Sequence, residues 1–155
     1  MKTINIYDVK LNDDRVALLV KEDTRQYEYP NIIEPEGVAN LMKNVFELHN
    51  KAEEHFYMIT LNANGDIIGV FLISKGALKE TNIHPREVFK RAILCNAHSV
   101  IFAHNHVSGN LTPSNDDITT TKMLIEAGEL LRIPVFDHLI IAHTGYNSLR
   151  VDGYI

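Results

Sequence analysis

Three side chains in one short stretch have the types and the spacing to hold a metal ion. His104-Asn105-His106 is followed by seven residues, then Ser114, two more residues, and Asp117. In an extended strand residues i and i+2 face the same side, so His104 and His106 point together. Imidazole nitrogen is a preferred zinc ligand, and a carboxylate one turn into the next helix can return to the strand end as a third. Two histidines and a carboxylate leave a tetrahedral position open, the arrangement of catalytic rather than structural zinc sites. Ligand type thus points to one zinc per chain, although two histidines and a carboxylate also suit iron. Ser114 and Asp117 have a second description. Ser-x-x-Asp is a capping-box variant, with Ser114 as N-cap and Asp117 near the positive end of the helix dipole. The two descriptions are compatible, because a capped helix start would hold Asp117 rigidly.

A hydrolytic metal site also needs a group that carries a proton from water to the leaving group. Glu53 and Glu54 both precede the apolar run at 56–61. Strand alternation places them on opposite sides, so spacing supports one of the pair without choosing. His138 follows Asp137 ahead of another apolar run. It reads as a partnered structural histidine or as a group that orients a ligand. Asn105 points away from its two histidine neighbours and is expected to tie down the loop. His49, His55, His84, His98 and His143 lack ligand spacing, and Cys95 reads as helix packing.

The elements that must position these residues are legible from periodicity. Residues 4–11 and 15–20 read as strands around an Asn12-Asp13-Asp14 turn. Residues 27–31 are loop or edge. Pro35 opens an amphipathic helix over 36–49. Strands at 56–61 and 67–74 flank Asn64-Gly65, a strong hairpin signal. Pro85 opens a second helix with Val88, Phe89 and Ala92 on one face. Residues 99–104 are a continuous apolar run, as in a strand buried on both faces. After a loop at 107–113, a third helix runs from Ser114 to about Leu131. A strand follows at 135–142, with a short final one at 149–151. Strands interleaved with long helices, plus one antiparallel hairpin, predict an α/β sandwich of three layers around a mixed central sheet.

Bulk properties narrow the class. A chain of 155 residues fits a single domain, with residues 1–33 as a β extension of it. The formal net charge is −5, and the 15 Lys and Arg form no cluster. Duplex-binding domains usually present a basic face, so charge argues against DNA as the main partner. One cysteine excludes cysteine-pair zinc sites, including those of zinc deaminases. No signal peptide and no run of the roughly 20 apolar residues of a membrane span is evident. A cytoplasmic, reducing setting is expected. The N-terminal strands offer an edge through which two copies could pair as a homodimer.

The histidine-serine-aspartate stretch resembles the JAMM (MPN) metalloprotease motif. More narrowly, His104-Asn105-His106-Val107-Ser108-Gly109 is similar to the RadC-like branch of that superfamily. Glu54-His55-Phe56, Pro85-Arg86-Glu87-Val88-Phe89 and Asp137-His138-Leu139-Ile140-Ile141 carry the same likeness. It covers about residues 36–152. Residues 1–33 match nothing in the family, and the helical N-terminal region of longer RadC-like proteins looks absent. Many JAMM proteases have Ser or Thr between the histidines where this chain has Asn105. The resemblance implies the JAMM/MPN, cytidine-deaminase-like architecture, with zinc held by His104, His106 and Asp117. It selects Glu54 as the group that serves the reacting water, and Ser114 as a stabiliser of the oxyanion. It implies cleavage of an amide or isopeptide bond in a peptide or protein conjugate. Two other readings stand beside it: a metal-binding module of DNA metabolism without peptidase activity, and a non-catalytic scaffold. The second requires lost ligands, and all five motif residues are present.

Overall fold

The apolar run that ends in the paired histidines is a strand, Ser99–Asn105, and all seven of its residues are buried. Burial on both faces and both edges demands a sheet neighbour on each side and a helical layer above and below. The computed structural model, which describes residues 1–28 and 32–155, supplies both. In chain order the elements are β1 (Lys2–Leu11), β2 (Ala17–Tyr27), α1 (Pro35–Asn44), a 3-10 helix (Leu48–Asn50), β3 (His55–Leu61), β4 (Ile67–Lys75), α2 (Pro85–Leu94), β5 (Ser99–Asn105), α3 (Asn115–Leu131), β6 (Val135–Ala142) and β7 (Gly145–Ser148). The strands form one mixed sheet in the order β2-β1-β4-β3-β5-β6-β7. β5 pairs antiparallel with β3 and parallel with β6.

Period-2 alternation along β5 feeds two cores. Ile101 and Ala103 join Val38, Leu41 and Met42 of α1 on one face. Val100 and Phe102 join Val88 and Phe89 of α2 and Leu124 of α3 on the other. The result is the expected three-layer α/β sandwich. Each large apolar side chain buried this way contributes roughly 1.5–3 kcal/mol. The parity continues to the strand end, so His104 lies on the α3 side and Asn105 on the α1 side.

The N-terminal hairpin extends the sheet beyond β4, with Ile6 in parallel register with Val70. It is clasped from both layers. Arg25 donates to the Val45 carbonyl at 2.7 Å and sits 5.0 Å from the Phe46 ring centroid, while Arg91 of α2 lies 3.5 Å from Asp8.

Three boundaries differ from expectation. The first helix stops at Asn44 rather than 49, because Glu47 takes a left-handed backbone (φ 50) that ends the winding. Phe46 and Leu48 are still buried, so the apolar spacing was real but crosses a break. β2 starts later and runs further than 15–20, since Arg15 adopts φ 65 in the turn and the polar run beyond Val20 stays paired with β1. Its polar side chains suit an outer strand with solvent beside it. The final strand is Gly145–Ser148, and residues 149–151 form turns instead. Of the segment read as loop or edge, Tyr27 closes β2 and residues 29–31 lie outside the described residues. Among the described residues no helix is long and apolar enough to cross a membrane.

Candidate metal centre

His104 is carried to the site by the last turn of strand pairing in β5, and His106 by the residue just beyond it. The His106 N–H still donates to the Ile141 carbonyl at 3.1 Å, which holds the chain extended across the strand end. Asp117 arrives from α3. Ser114 caps that helix: its Oγ accepts the Asp117 N–H at 3.0 Å, and Asp117 Oδ2 accepts the Ser114 N–H at 2.8 Å. The capping box expected from sequence is therefore present, and it fixes the carboxylate. The buried face of α3 is polar at its start (Asp117, Thr120, Thr121) and apolar further along (Leu124).

The three side chains meet at their tips. His104 Nε2 lies 3.2 Å from Asp117 Oδ1, His106 Nε2 lies 3.0 Å from Asp117 Oδ2, and the two Nε2 atoms are 3.0 Å apart. These atoms could hold a metal ion. Ligands at ~2.0–2.1 Å from a tetrahedral zinc lie about 3.3 Å from one another, close to the observed spacings. Proton bookkeeping supports the fit. His106 Nδ1 is 2.6 Å from the Asn110 carbonyl, which can only accept, so Nδ1 carries the hydrogen. A neutral His106 then aims a bare lone pair at a carboxylate. That contact is repulsive unless a cation, a metal ion or a proton, sits between them.

The electrostatics agree. Burial alone would raise the Asp117 pKa, but hydrogen bonds from His104 and His106 outweigh it and hold the carboxyl far below the usual range. Burial opposes charge on His106, yet hydrogen bonding to Asp117 and the Asn110 carbonyl, with the field of Asp117 and Glu54, leaves its pKa raised. The site attracts positive charge.

Glu54 lies immediately before β3. Phe56 pairs with His104 in antiparallel register, so continuing the ladder by two residues sets Glu54 across from His106. Glu54 shares the face of Phe56, while Glu53 points away and is exposed. Parity and register thus bring Glu54, rather than Glu53, to the His106 side of the sheet. Glu54 Oε2 accepts the Leu78 N–H at 3.1 Å, and its carbonyl accepts the Gly76 N–H at 2.8 Å. Asn105, on the opposite face, binds the Glu53 carbonyl and the His55 N–H. It ties down the approach to β3 rather than the 107–113 loop. Glu54, His106, Ser114 and Asp117 line one open cleft of about 470 Å³, with Lys79, Val107 and Pro113 among its other walls.

Two further residues reach the centre. His138, fully buried on β6, lies with Nε2 2.7 Å from His104 Nδ1, and its Nδ1 is 2.6 Å from Thr121 Oγ1. Burial pushes its pKa well down. His138 is therefore a satisfied core histidine, and one of its two partners is His104. The sequence alone does not single out Thr121. Its signal was position: it lies four residues after Asp117, on the same helix face. Asp137 turns to the opposite side, where it accepts the N–H of His138 and of Arg150.

Comparison with known proteins follows the same lines. The family model described as the RadC-like JAB domain matches residues 32–154. A UPF0758 protein of Caldanaerobacter subterraneus subsp. tengcongensis is 44% identical over 129 residues, covering 83% of this chain and 54% of that protein. One from Staphylococcus haemolyticus is 45% identical over 123 residues, covering 79% and 53%. One from Symbiobacterium thermophilum is 47% identical over 102 residues, covering 66% and 44%. The chain spans about half the length of these curated relatives. The hairpin of β1 and β2 lies outside the matched region.

Proposed function

This chain belongs to the RadC-like JAB domain family, and we propose that it is a zinc-dependent hydrolase that cleaves an amide or isopeptide bond in a peptide or protein conjugate. The observation that carries the reading is the convergence of His104, His106 and Asp117, three electron-pair donors, beside a carboxylate in an open cleft. A zinc ion held by these residues would supply a Lewis acid, making water nucleophilic at neutral pH and polarising the scissile carbonyl.

The chain's own residues then have distinct tasks. Glu54 takes the proton of the attacking water and returns it to the leaving amine. Its Oε2 is held by the Leu78 N–H, so the proton travels on Oε1. Ser114 donates its hydroxyl hydrogen to the developing oxyanion. The cap does not compete, because capping uses a lone pair of the same oxygen and leaves the hydrogen free to donate. Oxygen ligation and two imidazoles suit zinc, while the remaining side of the cleft admits the substrate.

The DNA-metabolism reading draws less support. The cleft wall carries Glu54, Asp116 and Asp117 against Lys79, a poor match for a phosphate backbone. We also read residues 1–155 as one domain, supported by the continuity of the sheet from β2 to β7.

The test is Glu54→Gln, assayed on a panel of peptide and isopeptide substrates alongside metal analysis. The variant is expected to keep its zinc and lose turnover by about 10²–10⁴-fold, the usual contribution of a general acid–base group. Turnover equal to wild type would remove Glu54 from the mechanism.

A further inference from the structure

We propose that Thr121 and His138 form a hydrogen-bonded relay that presents His104 to the metal in the correct tautomer, and so sets the metal affinity of the site. The inference rests on the metal-site reading above. It concerns residues outside the ligand set, contributed by two different elements.

The relay can be followed atom by atom. A histidine that binds metal through Nε2 must carry its hydrogen on Nδ1. In His104 that Nδ1 faces His138 Nε2 at 2.7 Å, so His138 must accept there. An imidazole that accepts at Nε2 carries its hydrogen on Nδ1, and that of His138 donates to Thr121 Oγ1 at 2.6 Å. Thr121 passes its single hydrogen to the Asp117 carbonyl, also at 2.6 Å. A carbonyl only accepts, so the chain ends with no donor left over. Every bond in it is fully buried, where an unmatched polar atom is costly.

The path is a closed circuit. It leaves the site at His104 on β5, crosses β6 at His138, enters α3 at Thr121 and returns to Asp117, a second ligand. The rings of Phe56 and Phe102 pack against His138, with centroids 5.5 and 6.2 Å away, and hold its orientation. Metal ligands commonly donate their second N–H to a carboxylate, a carbonyl or water. Here the acceptor is an imidazole whose own tautomer is decided by a threonine hydroxyl. Thr121 and His138 are positioning residues, acting through His104.

The experiment uses the full chain and zinc alone as the probe. Zinc affinity is measured by competition with a chromogenic chelator for wild type, Thr121→Val, Thr121→Ser and His138→Phe. The imidazole ¹⁵N shifts of the zinc-loaded proteins report the His104 tautomer. Thr121→Val, which keeps the volume and removes the hydroxyl, is expected to weaken zinc about 10–100-fold, the usual cost of losing an outer partner of a ligand. His138→Phe should fall in the same range. Thr121→Ser should restore affinity to within about threefold of wild type, on the premise that its hydroxyl reproduces the bond. Circular dichroism and metal-free thermal melts identify a variant that has unfolded, in which case the Thr121→Ser and ¹⁵N results decide. Wild-type affinity in Thr121→Val, or Nδ1 of His104 bare in the loaded wild type, would overturn the relay while leaving the metal site intact. Failure of wild type itself to bind zinc would instead overturn the site reading.

Discussion

The side-chain oxygen of Asn105 accepts the backbone N–H of His55 at 2.7 Å, while its amide donates to the Glu53 carbonyl at 3.1 Å. The two bonds bracket Glu54. One residue between the paired histidines therefore fixes the backbone that carries Glu54 opposite them, from the far face of the sheet. Asn105→Ala would leave both backbone groups without these partners, at a cost of about 1–3 kcal/mol where the unmatched group is buried. Thermal denaturation should show that loss, and turnover should fall while zinc content stays at the wild-type level. Loss of zinc together with activity would show that Asn105 serves the ligands instead.

Ser114 has two tasks that substitution can separate. As an N-cap, serine replaced by alanine costs about 0.5–2 kcal/mol, but replaced by glycine only a few tenths. As an oxyanion donor, both replacements remove the same hydrogen. Ser114→Ala and Ser114→Gly should therefore differ in melting temperature yet lose similar amounts of turnover, about 10²–10³-fold. Turnover that tracked melting temperature across the pair would reduce Ser114 to a cap.

Gly109 adopts φ +85, and a Cβ placed there would lie 2.5 Å from Cε1 of His143. Alanine would add the left-handed backbone penalty of roughly 1–2 kcal/mol. The loop it strains includes the Asn110 carbonyl that fixes the His106 ring. Gly109→Ala should weaken zinc binding more than it lowers the melting temperature of zinc-free protein would imply. Chelator competition and calorimetric scanning of the same samples check this.

The paired ionisable groups give the zinc-free protein a defined pH response. His106 is raised in the fold, so its contribution is full below the unfolded value, about 6.5, and fades as pH rises through the folded value. Asp117 is depressed, so its contribution is full above about 3.9 and fades only as acid carries the pH toward the lower folded value. The pair therefore stabilises zinc-free protein most between these two reference values. Melting temperatures of chelated wild type and His106→Gln, compared across pH 4–9 on the order of one-unit steps, should differ most near pH 5 and converge above neutrality. With zinc the order reverses, because the ligand nitrogen must be unprotonated to bind. A constant difference between the two chelated proteins across that range would contradict the coupling.

Much of the centre was legible in the sequence because its signals are local. His104 and His106 share a face by strand parity, and Ser114 and Asp117 announce a helix start. β5 betrays itself as a central strand through an unbroken apolar run. What was not legible depends on non-local register. Glu54 and Glu53 are indistinguishable until β3 is paired with β5, since a shift of one residue exchanges their faces. Thr121 and His138 become partners only when α3 is laid over β6. The left-handed turn at Glu47 and the polar outer strand beyond Val20 carry no hydrophobic period, so periodicity alone makes α1 too long and β2 too short.

The most direct test of the account is the metal content of the purified protein, wild type and His106→Ala, prepared without added metal and read by mass spectrometry. About one zinc per chain is expected in wild type, held by His104, His106 and Asp117, and none in the variant. Wild-type protein that neither carries nor takes up zinc would contradict it, leaving His104, His106 and Asp117 as a buried hydrogen-bonded cluster at a strand end and a helix cap.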